Sequence, residues 1–232
     1  MSIDQGPPRR AAVTAFFDGA QMAALARRWV RRNRMGSQRA IQRYLQHELT
    51  LLDPWTLEAS PFDASRYETM LEFAGSDLWH NSVVEVGCAA GVFTERLAPL
   101  CRELLVVDSL PAAIERASSR LKGRPNITWR VADIANFKPP NAFDVIIVSE
   151  VLYYLGGEKL LSRAIGNLVR LVTPGGVLIF GSATDAACAR WGLSGGAETC
   201  ISEFSRSLRE TGRIHLRGAT ANEDCLIVRY SG

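Results

Sequence analysis

An apolar run that breaks at two glycines constrains the fold of this chain more than any other stretch. Residues 82–92 read Ser-Val-Val-Glu-Val-Gly-Cys-Ala-Ala-Gly-Val, and a helical pattern comes next, as is typical of a buried parallel strand and a tight turn that opens a helix. Gly87 and Gly91 would let the backbone turn sharply and approach a ligand, because glycine has no Cβ. Many strand-to-helix turns carry glycines for geometry alone, so residues further along the chain must decide the function of this turn.

The alternation of short strands and helical patterns continues along the chain. After the strand at 83–86, parallel strands are predicted over 104–107, 127–131, 143–148 and 177–180. Strands separated by helices indicate a doubly wound parallel sheet. The last two predicted strands, 214–217 and 225–230, are joined by a turn too short for a crossover helix, so we expect them to pair antiparallel. The predicted fold class is α/β, with a mostly parallel, seven-stranded, Rossmann-like sheet and an antiparallel C-terminal strand.

Three regions are expected along the chain. Residues 1–35 form a basic N-terminal extension, interpreted as dispensable, disordered or outside the natural protein; the alternative is an amphipathic helix that binds a membrane surface or a partner. Residues 36–79 carry helical patterns at 39–52 and 64–73. These two helices are expected to cap the strand ends, where open α/β sheets bind ligands. Residues 80–232 form the sheet domain.

Composition and charge disfavour several classes of protein. The 232 residues are 47% hydrophobic and carry a net charge of +3, but seven arginines in residues 1–34 supply that charge and leave the rest slightly acidic. A nucleic-acid binder is not expected, because its basic surface should lie on the fold itself. Apolar runs are too short for a membrane span and no signal-peptide pattern is present, so we expect a soluble cytoplasmic protein.

The placement of cysteine and histidine argues against a metal site. The five cysteines are scattered and form no Cys-x-x-Cys pair, and the three histidines lie far apart. This pattern is typical of reduced thiols in a core rather than of disulfides or a zinc cluster. No metal is therefore expected.

Acidic residues are predicted at the carboxyl ends of the first three strands. Glu85 precedes the glycine turn, and Asp108 closes the second strand, where a carboxylate can accept hydrogen bonds from two ribose hydroxyls. Asp133 with Ile134 comes after the third strand and is suited to an exocyclic amine and the face of a base. Asp108 and Asp133 could each be a helix N-cap instead. Their joint occurrence with Glu85 favours a nucleoside ligand.

A further polar group, Glu150 with Tyr153 and Tyr154, comes after the fourth strand at the centre of the sheet edge. A nicotinamide-binding domain is the nearest competing interpretation of these features. Its Gly-x-Gly-x-x-Gly fingerprint places a pyrophosphate on a helix N-terminus. Here Ala89 stands two residues after Gly87 and no third glycine occurs at the required spacing, so a dinucleotide is disfavoured.

Together these motifs resemble class I S-adenosylmethionine-dependent methyltransferases. The matching motifs are Glu85-Val-Gly-Cys-Ala-Ala-Gly91, Asp108, Ala132-Asp-Ile134, Phe143-Asp-Val-Ile-Ile147 and Thr173-Pro-Gly-Gly176. The resemblance implies S-adenosylmethionine as cofactor and S-adenosylhomocysteine as product. Trp55 and Arg66 of the cap are candidates to cover the cofactor and to pair its methionyl carboxylate. The other expected cofactor-binding residues are Glu85, Gly87, Cys88, Ala89, Gly91, Asp108, Ser109, Asp133, Ile134 and Glu150.

A narrower resemblance, from about residue 39 onward, is to the nodulation N-methyltransferase family, NodS. It extends to segments outside the cofactor motifs, among them Asp53-Pro-Trp55, Glu150-Val-Leu-Tyr-Tyr-Leu155, Arg190-Trp-Gly192, Gly196-Ala-Glu-Thr199 and Ala221-Asn-Glu-Asp-Cys225. The resemblance implies methyl transfer to the free amine of a deacetylated chitooligosaccharide. The expected partner is therefore a small oligosaccharide or another small-molecule amine.

The acceptor side is expected at the ends of the fourth and fifth strands. A sugar amine should titrate near the α-amino value of about 8, so part of it is neutral near physiological pH and alignment with the methyl group is the main requirement. Glu150 with Tyr153 or Tyr154 would orient the amine and could take its proton, although helix packing is the alternative role of each tyrosine. The candidate substrate-binding residues are Arg190, Trp191 and Glu198. Trp191 would stack on a sugar ring or serve as a buried anchor.

Two other functions stay open on the sequence alone. A small-molecule N- or O-methyltransferase with another acceptor would carry the same cofactor motifs. A protein that binds the cofactor without chemistry, such as a sensor or a partner subunit, needs no polar cluster on the acceptor side. The intact segment from Glu150 to Tyr154 argues against that second alternative.

Overall fold

The computed structural model of the chain describes residues 38–75, 78 and 81–232, so the predicted basic extension lies outside the described residues. The described helices are α1 (Gln38–Glu48), α2 (Pro61–Ala74), α3 (Val92–Leu97), α4 (Pro111–Arg120), α5 (Glu158–Leu171), α6 (Asp185–Arg190) and α7 (Ala197–Phe204). The strands are β1 (Val83–Val86), β2 (Leu104–Asp108), β3 (Ile127–Val131), β4 (Phe143–Ser149), β5 (Val172–Ala183), β6 (Arg209–Arg217) and β7 (Asp224–Ser231). Short 3-10 turns span Pro54–Thr56, Ala98–Leu100 and Leu152–Tyr154.

The seven strands form one sheet in the order β3-β2-β1-β4-β5-β7-β6. Strands β1 to β5 pair in parallel, and β7 runs antiparallel to both β5 and β6. This confirms the predicted mostly parallel sheet with one reversed strand near its edge. Since β1 lies between β2 and β4, the chain winds outward in both directions from the centre of the sheet.

Both faces of the sheet are covered by helices, so the core has two layers. Side chains alternate along β1: Val83 packs with the helices α2, α3 and α4, whereas Val84 packs with α5 and α7 on the other face. In the first layer, Met70 of α2 is fully buried over Gly181 of β5, where a Cβ would lie 2.8 Å from the methionine sulfur. All five cysteines are buried and none is in a disulfide, which agrees with core thiols.

The two helices ahead of β1 lie in different places on the sheet domain. Helix α1 reaches the turn after β4, where Gln38 Oε1 accepts a hydrogen bond of 2.6 Å from the Gly156 amide. The chain after α1 is held by Arg116 of α4, which donates to the carbonyls of Leu49, Leu51 and Leu52. Helix α1 and its following turn thus lie between α4 and the end of β4, while α2 packs on the face of the sheet.

Two helix ends differ from the prediction. Helix α1 ends at Glu48 rather than at residue 52, and Leu52, expected on its apolar face, is 94% exposed. The helix ends early because the Arg116 guanidinium donates hydrogen bonds to the carbonyl groups of the residues that follow Glu48. These carbonyls are therefore satisfied without a further helical turn. Helix α2 begins at Pro61 rather than Ala64, because the Ser60 hydroxyl accepts a hydrogen bond from the Asp63 amide at 3.1 Å.

The last helix and the strand after it also differ from the prediction. Helix α7 ends at Phe204, and β6 begins at Arg209, whereas the sequence predicts a helix to residue 210 and a strand from 214. Strand β6 pairs with β7 over its whole length, from Arg209 opposite Ser231. Its N–H and C=O groups therefore form hydrogen bonds within the sheet instead of within a longer helix. In the described part of the chain, no helix combines the length and apolar character needed to cross a bilayer.

Candidate active site

The candidate site lies at the carboxyl ends of β1, β2 and β4. In open α/β sheets ligands bind in the crevice where the chain reverses its winding direction, and here that point lies between β1 and β4. The turns after these strands carry most of the residues that the sequence predicts for the site.

The turn after β1 adopts backbone conformations that favour glycine. Gly87 and Gly91 have φ values of 85° and 80°. A Cβ on Gly87 would lie 2.9 Å from the Val151 side chain, and one on Gly91 would lie 2.9 Å from the Ala117 Cβ. Ala89, with φ of 47°, is also left-handed. The tight turn predicted from the glycines is therefore present and closely packed.

Glu85 is a buried carboxylate at the end of β1. It is only 2% exposed, and burial raises the pKa of its carboxyl group to about 8, with the Thr94 hydroxyl lowering the pKa and the Asp108 charge raising it. Its Oε2 atom has no hydrogen-bond partner among the described residues. A buried carboxylate with an unpartnered acceptor atom suits a cationic group of a ligand in the crevice.

Asp108, the last residue of β2, accepts hydrogen bonds that connect two neighbouring turns. One carboxylate oxygen accepts from the Leu110 amide at 2.9 Å, and the other lies 3.4 Å from the Ala89 amide and 3.9 Å from the Cys88 sulfur. Burial raises the pKa of Asp108, and the backbone N–H groups lower it in part. The half-buried carboxylate thus links the turn after β1 to the start of α4, while Ser109 beside it is exposed.

Asp133 and Ile134, the pair after β3, differ in exposure. Asp133 is exposed and accepts 2.9 Å hydrogen bonds from the Ala135 amide and the Asn136 side chain, so it holds a turn and not a helix N-terminus. Ile134 is 6% exposed and packs in the core layer of α5. Its carbonyl accepts from Asn167 Nδ2 at 2.7 Å. Contact of Ile134 with a base stays a prediction.

Glu150, directly after β4, is the centre of the polar cluster that the sequence predicts for the acceptor side. Its backbone is left-handed, with φ of 52°, and its amide donates to the Gly181 carbonyl at 2.9 Å. The Tyr153 hydroxyl donates to Oε2 at 2.7 Å, and Arg66 Nη1 lies 3.3 Å from Oε1. A non-glycine residue held at positive φ is a strained conformation that surrounding contacts must support, and such residues concentrate at functional sites.

Arg66 connects this cluster to α2. It is 5% exposed, and its Nη2 atom lies 2.7 Å from Asp63 Oδ1. Burial lowers the pKa of the guanidinium, but the carboxylates of Glu150 and Asp63 raise it more, so the pKa stays above its ordinary value. Two carboxyl groups therefore face one guanidinium. Its Nε atom is buried without a partner among the described residues, which leaves a donor for a ligand.

The sequence interpretation missed two members of this cluster. Asp63 precedes Arg66 by three residues on a helix, which is a recognisable ion-pair spacing. Cys225 of β7 places its sulfur 3.6 Å from Glu150 Oε1. No local signal predicts the second contact, because 75 residues separate the partners.

Tyr153, Tyr154 and Trp191 form an aromatic group beside Glu150. The ring centroid of Tyr153 lies 4.5 Å from that of Tyr154 and 5.9 Å from that of Trp191. Burial raises the pKa of Tyr153 and of Tyr154 well above the ordinary value, and the Glu150 charge raises both further. Both hydroxyls are therefore hydrogen-bond donors near neutral pH, and Glu150 is the group of the three that can accept a proton.

The remaining predicted residues have contacts of their own. Trp55 and Thr56 are both left-handed, with φ of 57°, and Trp55 packs half-buried against the core layer of α2. Arg190 is half-buried, with Nε 3.3 Å from Asn222 Oδ1. Glu198 is exposed and accepts a 2.6 Å hydrogen bond from the Asp185 amide at the start of α6. Binding of substrate by Arg190 and Glu198 stays a prediction.

Among the described residues, two cavities next to the sheet bear on the location of the site. One of about 170 Å³ is lined by Tyr153, by Ile41 of α1 and by Leu193 and Ser194 of the loop after α6. A larger depression of about 360 Å³ lies at the opposite edge, near Asp144 and Thr173 at the amino ends of β4 and β5. Ligands of open α/β sheets bind at the carboxyl ends of strands, and the smaller cavity is the one that lies at that end, beside the candidate site.

Comparison of the chain with known proteins identifies its family. The model of the family described as nodulation protein S (NodS) matches residues 37–232. The chain belongs to the NodS family. It is 46% identical over 186 residues to nodulation protein S of Sinorhizobium fredii, covering 80% of this chain and 86% of that protein. It is 49% identical to nodulation protein S of Bradyrhizobium diazoefficiens over 80% of this chain and 89% of that one.

Solved structures agree with the family assignment. The crystal structure of N-methyltransferase NodS from Bradyrhizobium japonicum WM9 in complex with S-adenosyl-L-homocysteine superposes with a TM-score of 0.80 at 44% identity, covering 83% of this chain and 98% of that one. An S-adenosylmethionine-dependent methyltransferase from Mesorhizobium loti superposes at 0.61 with 16% identity over 76% of this chain and all of that one, a likeness of fold. The predicted family, fold and enzyme class, a class I methyltransferase, are confirmed.

Proposed function

We propose that this NodS-family chain is an S-adenosylmethionine-dependent N-methyltransferase that methylates the free amine of a deacetylated chitooligosaccharide. The observation that carries the proposal is the cluster of Glu150, Tyr153 and Arg66 beside the glycine turn, which joins an acceptor-side carboxylate to a nucleoside-type crevice. The N-methyltransferase NodS that binds S-adenosylhomocysteine is similar over most of this chain. The nodulation role of the relatives supports an amino-sugar acceptor.

The residues of the crevice fit such a cofactor. Asp108 would hold the ribose, and Glu85, buried with an unpartnered oxygen, would face the positive charge of the methionyl end. Arg66 offers its unpartnered Nε to the methionyl carboxylate, and Trp55 would cover the site. The bound cofactor supplies an activated methyl group on a sulfonium. The role of this chain is to bind it, orient it and exclude water.

The acceptor amine must approach as the neutral base. A sugar amine near the α-amino pKa of about 8 already has a neutral fraction at physiological pH, so a strong base is unnecessary. Glu150 would accept a hydrogen bond from the amine and direct its lone pair at the methyl group. Tyr153 keeps the Glu150 carboxylate in place through its 2.7 Å hydrogen bond. After transfer, Glu150 can receive the proton that the methylated amine releases.

A methyl-transfer assay tests the proposal directly. Labelled S-adenosylmethionine is incubated with a chitooligosaccharide that carries one free amine at its non-reducing end, and with the same oligomer fully acetylated. We expect label on the first oligomer and none on the second, because an amide nitrogen has no available lone pair. A protein that binds S-adenosylhomocysteine yet labels neither oligomer would contradict the proposed acceptor and leave the methyltransferase assignment intact.

A further inference from the structure

The cavity beside Tyr153 is formed by three separate parts of the chain. Helix α1 contributes Ile41, the turn after β4 contributes Tyr153 and Leu155, and the loop after α6 contributes Leu193 and Ser194. The volume of about 170 Å³ is smaller than the roughly 300–1,000 Å³ of pockets that take drug-sized ligands. A cavity of this size takes a group such as one sugar ring and leaves the rest of an oligomer outside.

We infer that this cavity is the subsite for a single ring of the acceptor, with Leu193 and Ser194 limiting the size of the ring it admits. The inference rests on the proposed function and deepens it. Tyr153 lines the cavity while its hydroxyl donates to Glu150 at 2.7 Å. A ring in the cavity therefore lies one side chain away from the carboxylate that orients the amine.

The chemistry of the walls suits a sugar ring whose amine points outward. The described residues that line the cavity carry no formal charge, so a protonated amine would lose solvation inside it. The isobutyl groups of Leu155 and Leu193 and the ring of Tyr153 can pack on the C–H faces of a pyranose. Ser194 supplies a hydroxyl at the rim. The outward amine would then be directed toward Glu150, whose carboxylate accepts the hydrogen bond of Tyr153.

The cavity is separate from the residues that would hold the cofactor. Glu85, Gly87, Asp108 and Asp133 lie at or just after the carboxyl ends of β1, β2 and β3, and none of them lines it. The wall from α1 is fixed by the hydrogen bond from the Gly156 amide to Gln38 Oε1, and Ile41 is only 3% exposed. Filling the cavity should therefore affect the acceptor without affecting the cofactor.

The variant Ser194→Phe tests this inference. Ser194 is exposed at the rim, so a phenyl ring there can enter the cavity without replacing a core residue. The matched control is Ser207→Phe, because Ser207 is equally an exposed serine but lies outside the cavity. Three quantities are measured for each protein: the KM of the mono-deacetylated oligomer, the Kd of S-adenosylhomocysteine by calorimetry, and the binding of glucosamine to the S-adenosylhomocysteine complex by saturation-transfer NMR.

We expect Ser194→Phe to raise the acceptor KM at least tenfold and to abolish glucosamine binding, while the Kd of S-adenosylhomocysteine changes less than twofold. Ser207→Phe should match the unmodified protein in all three. The milder Ser194→Ala, which removes only the hydroxyl, should raise KM by a smaller factor.

Other outcomes separate the two proposals. Unchanged KM and glucosamine binding in Ser194→Phe would overturn the subsite, and so would a parallel loss of S-adenosylhomocysteine binding, which would assign the cavity to the cofactor. Binding of glucosamine that Ser194→Phe abolishes, in a protein that methylates no amino sugar, would support the subsite and overturn the proposed reaction. A protein that binds no glucosamine at all would overturn the subsite whatever its activity.

Discussion

The two halves of the site are assembled in different ways. On the proposed cofactor side, acids lie at or just after the ends of consecutive strands and are held by the backbone a few residues away: Asp108 by the Leu110 amide and Asp133 by the Ala135 amide. On the proposed acceptor side, Glu150 is held by Arg66 of α2, which is 84 residues earlier in the chain, and lies beside Cys225 of β7. Local geometry fixes the first half, and long-range packing fixes the second.

This difference has a functional consequence. Substitutions on the cofactor side should change cofactor affinity and leave the transfer step nearly intact once cofactor is saturating. Substitutions on the acceptor side should change the transfer rate or the acceptor KM more than the cofactor affinity. A result in which the two halves respond alike would mean that they work as one unit.

The largest effect is expected for Glu150→Gln, which keeps the size of the side chain and removes its charge. Loss of the group proposed to orient the amine and take its proton should reduce kcat by about 10²-fold or more, while the Kd of S-adenosylhomocysteine rises less than tenfold. Labelled-methyl transfer and calorimetry measure the two quantities. Glu158→Gln, an exposed glutamate at the start of α5, is the matched control. Equal losses of kcat and of cofactor affinity would contradict separate roles for the two halves of the site.

Glu85→Gln should reveal the buried carboxyl through the pH dependence of stability. The folded state raises the pKa of Glu85 from its ordinary 4.5 to about 8, so the folded protein resists an ionisation that the unfolded chain undergoes. The free energy of unfolding therefore falls between about pH 4.5 and pH 8 and levels off above it, by an amount on the order of a few kcal/mol. Glutamine removes this loss, so the variant should gain stability relative to the unmodified protein as pH rises.

Urea unfolding near pH 5 and near pH 9 measures that difference, with Glu115→Gln, an exposed glutamate of α4, as control. Saturation with S-adenosylmethionine should reduce the pH dependence of the unmodified protein, because a nearby cation favours the ionised carboxylate. The same pH dependence in Glu85→Gln and the unmodified protein would show that Glu85 does not cause it.

Asp108→Asn should weaken the cofactor without stopping transfer. The amide replaces the charged group proposed to accept from the ribose hydroxyls, a loss of about 1.5–3 kcal/mol, so the Kd of S-adenosylhomocysteine should rise about 10- to 100-fold. The kcat at saturating cofactor should stay within about threefold. Asp133→Asn is the comparison on the same side, and a smaller effect is expected because Asp133 is exposed. If Asp108→Asn lowered kcat as much as Glu150→Gln does, the proposed separate roles of the two halves would be contradicted.

The smallest effect is expected for Glu198→Ala. Its carboxylate accepts from the Asp185 amide at 2.6 Å at the start of α6, so its loss should lower the free energy of unfolding by about 1 kcal/mol. Urea unfolding measures this, and the acceptor KM is read on the same preparation. A tenfold rise in KM with unchanged stability would instead support substrate binding by Glu198, as the sequence predicts.

Most of the fold was predictable because its signals are local. The alternation of apolar strands and helical patterns predicted all seven strands and their parallel or antiparallel sense. The boundaries were less predictable: α1 ends early because Arg116 takes the carbonyl of Leu49, 67 residues away, and β6 begins early because it pairs with β7. Both depend on partners that a window of sequence does not contain.

In the candidate site, too, some features follow from local sequence and others depend on distant residues. By itself the sequence determined the glycine turn at Gly87 and Gly91 and the acids that close β1, β2 and β4, since these depend on backbone φ and on strand order. Only the tertiary structure decided that Arg66 pairs with Glu150. It also decided that Ile41 of α1 and Leu193 both line one cavity beside Tyr153. These contacts join residues far apart in the chain, and they exist only once both faces of the sheet are packed.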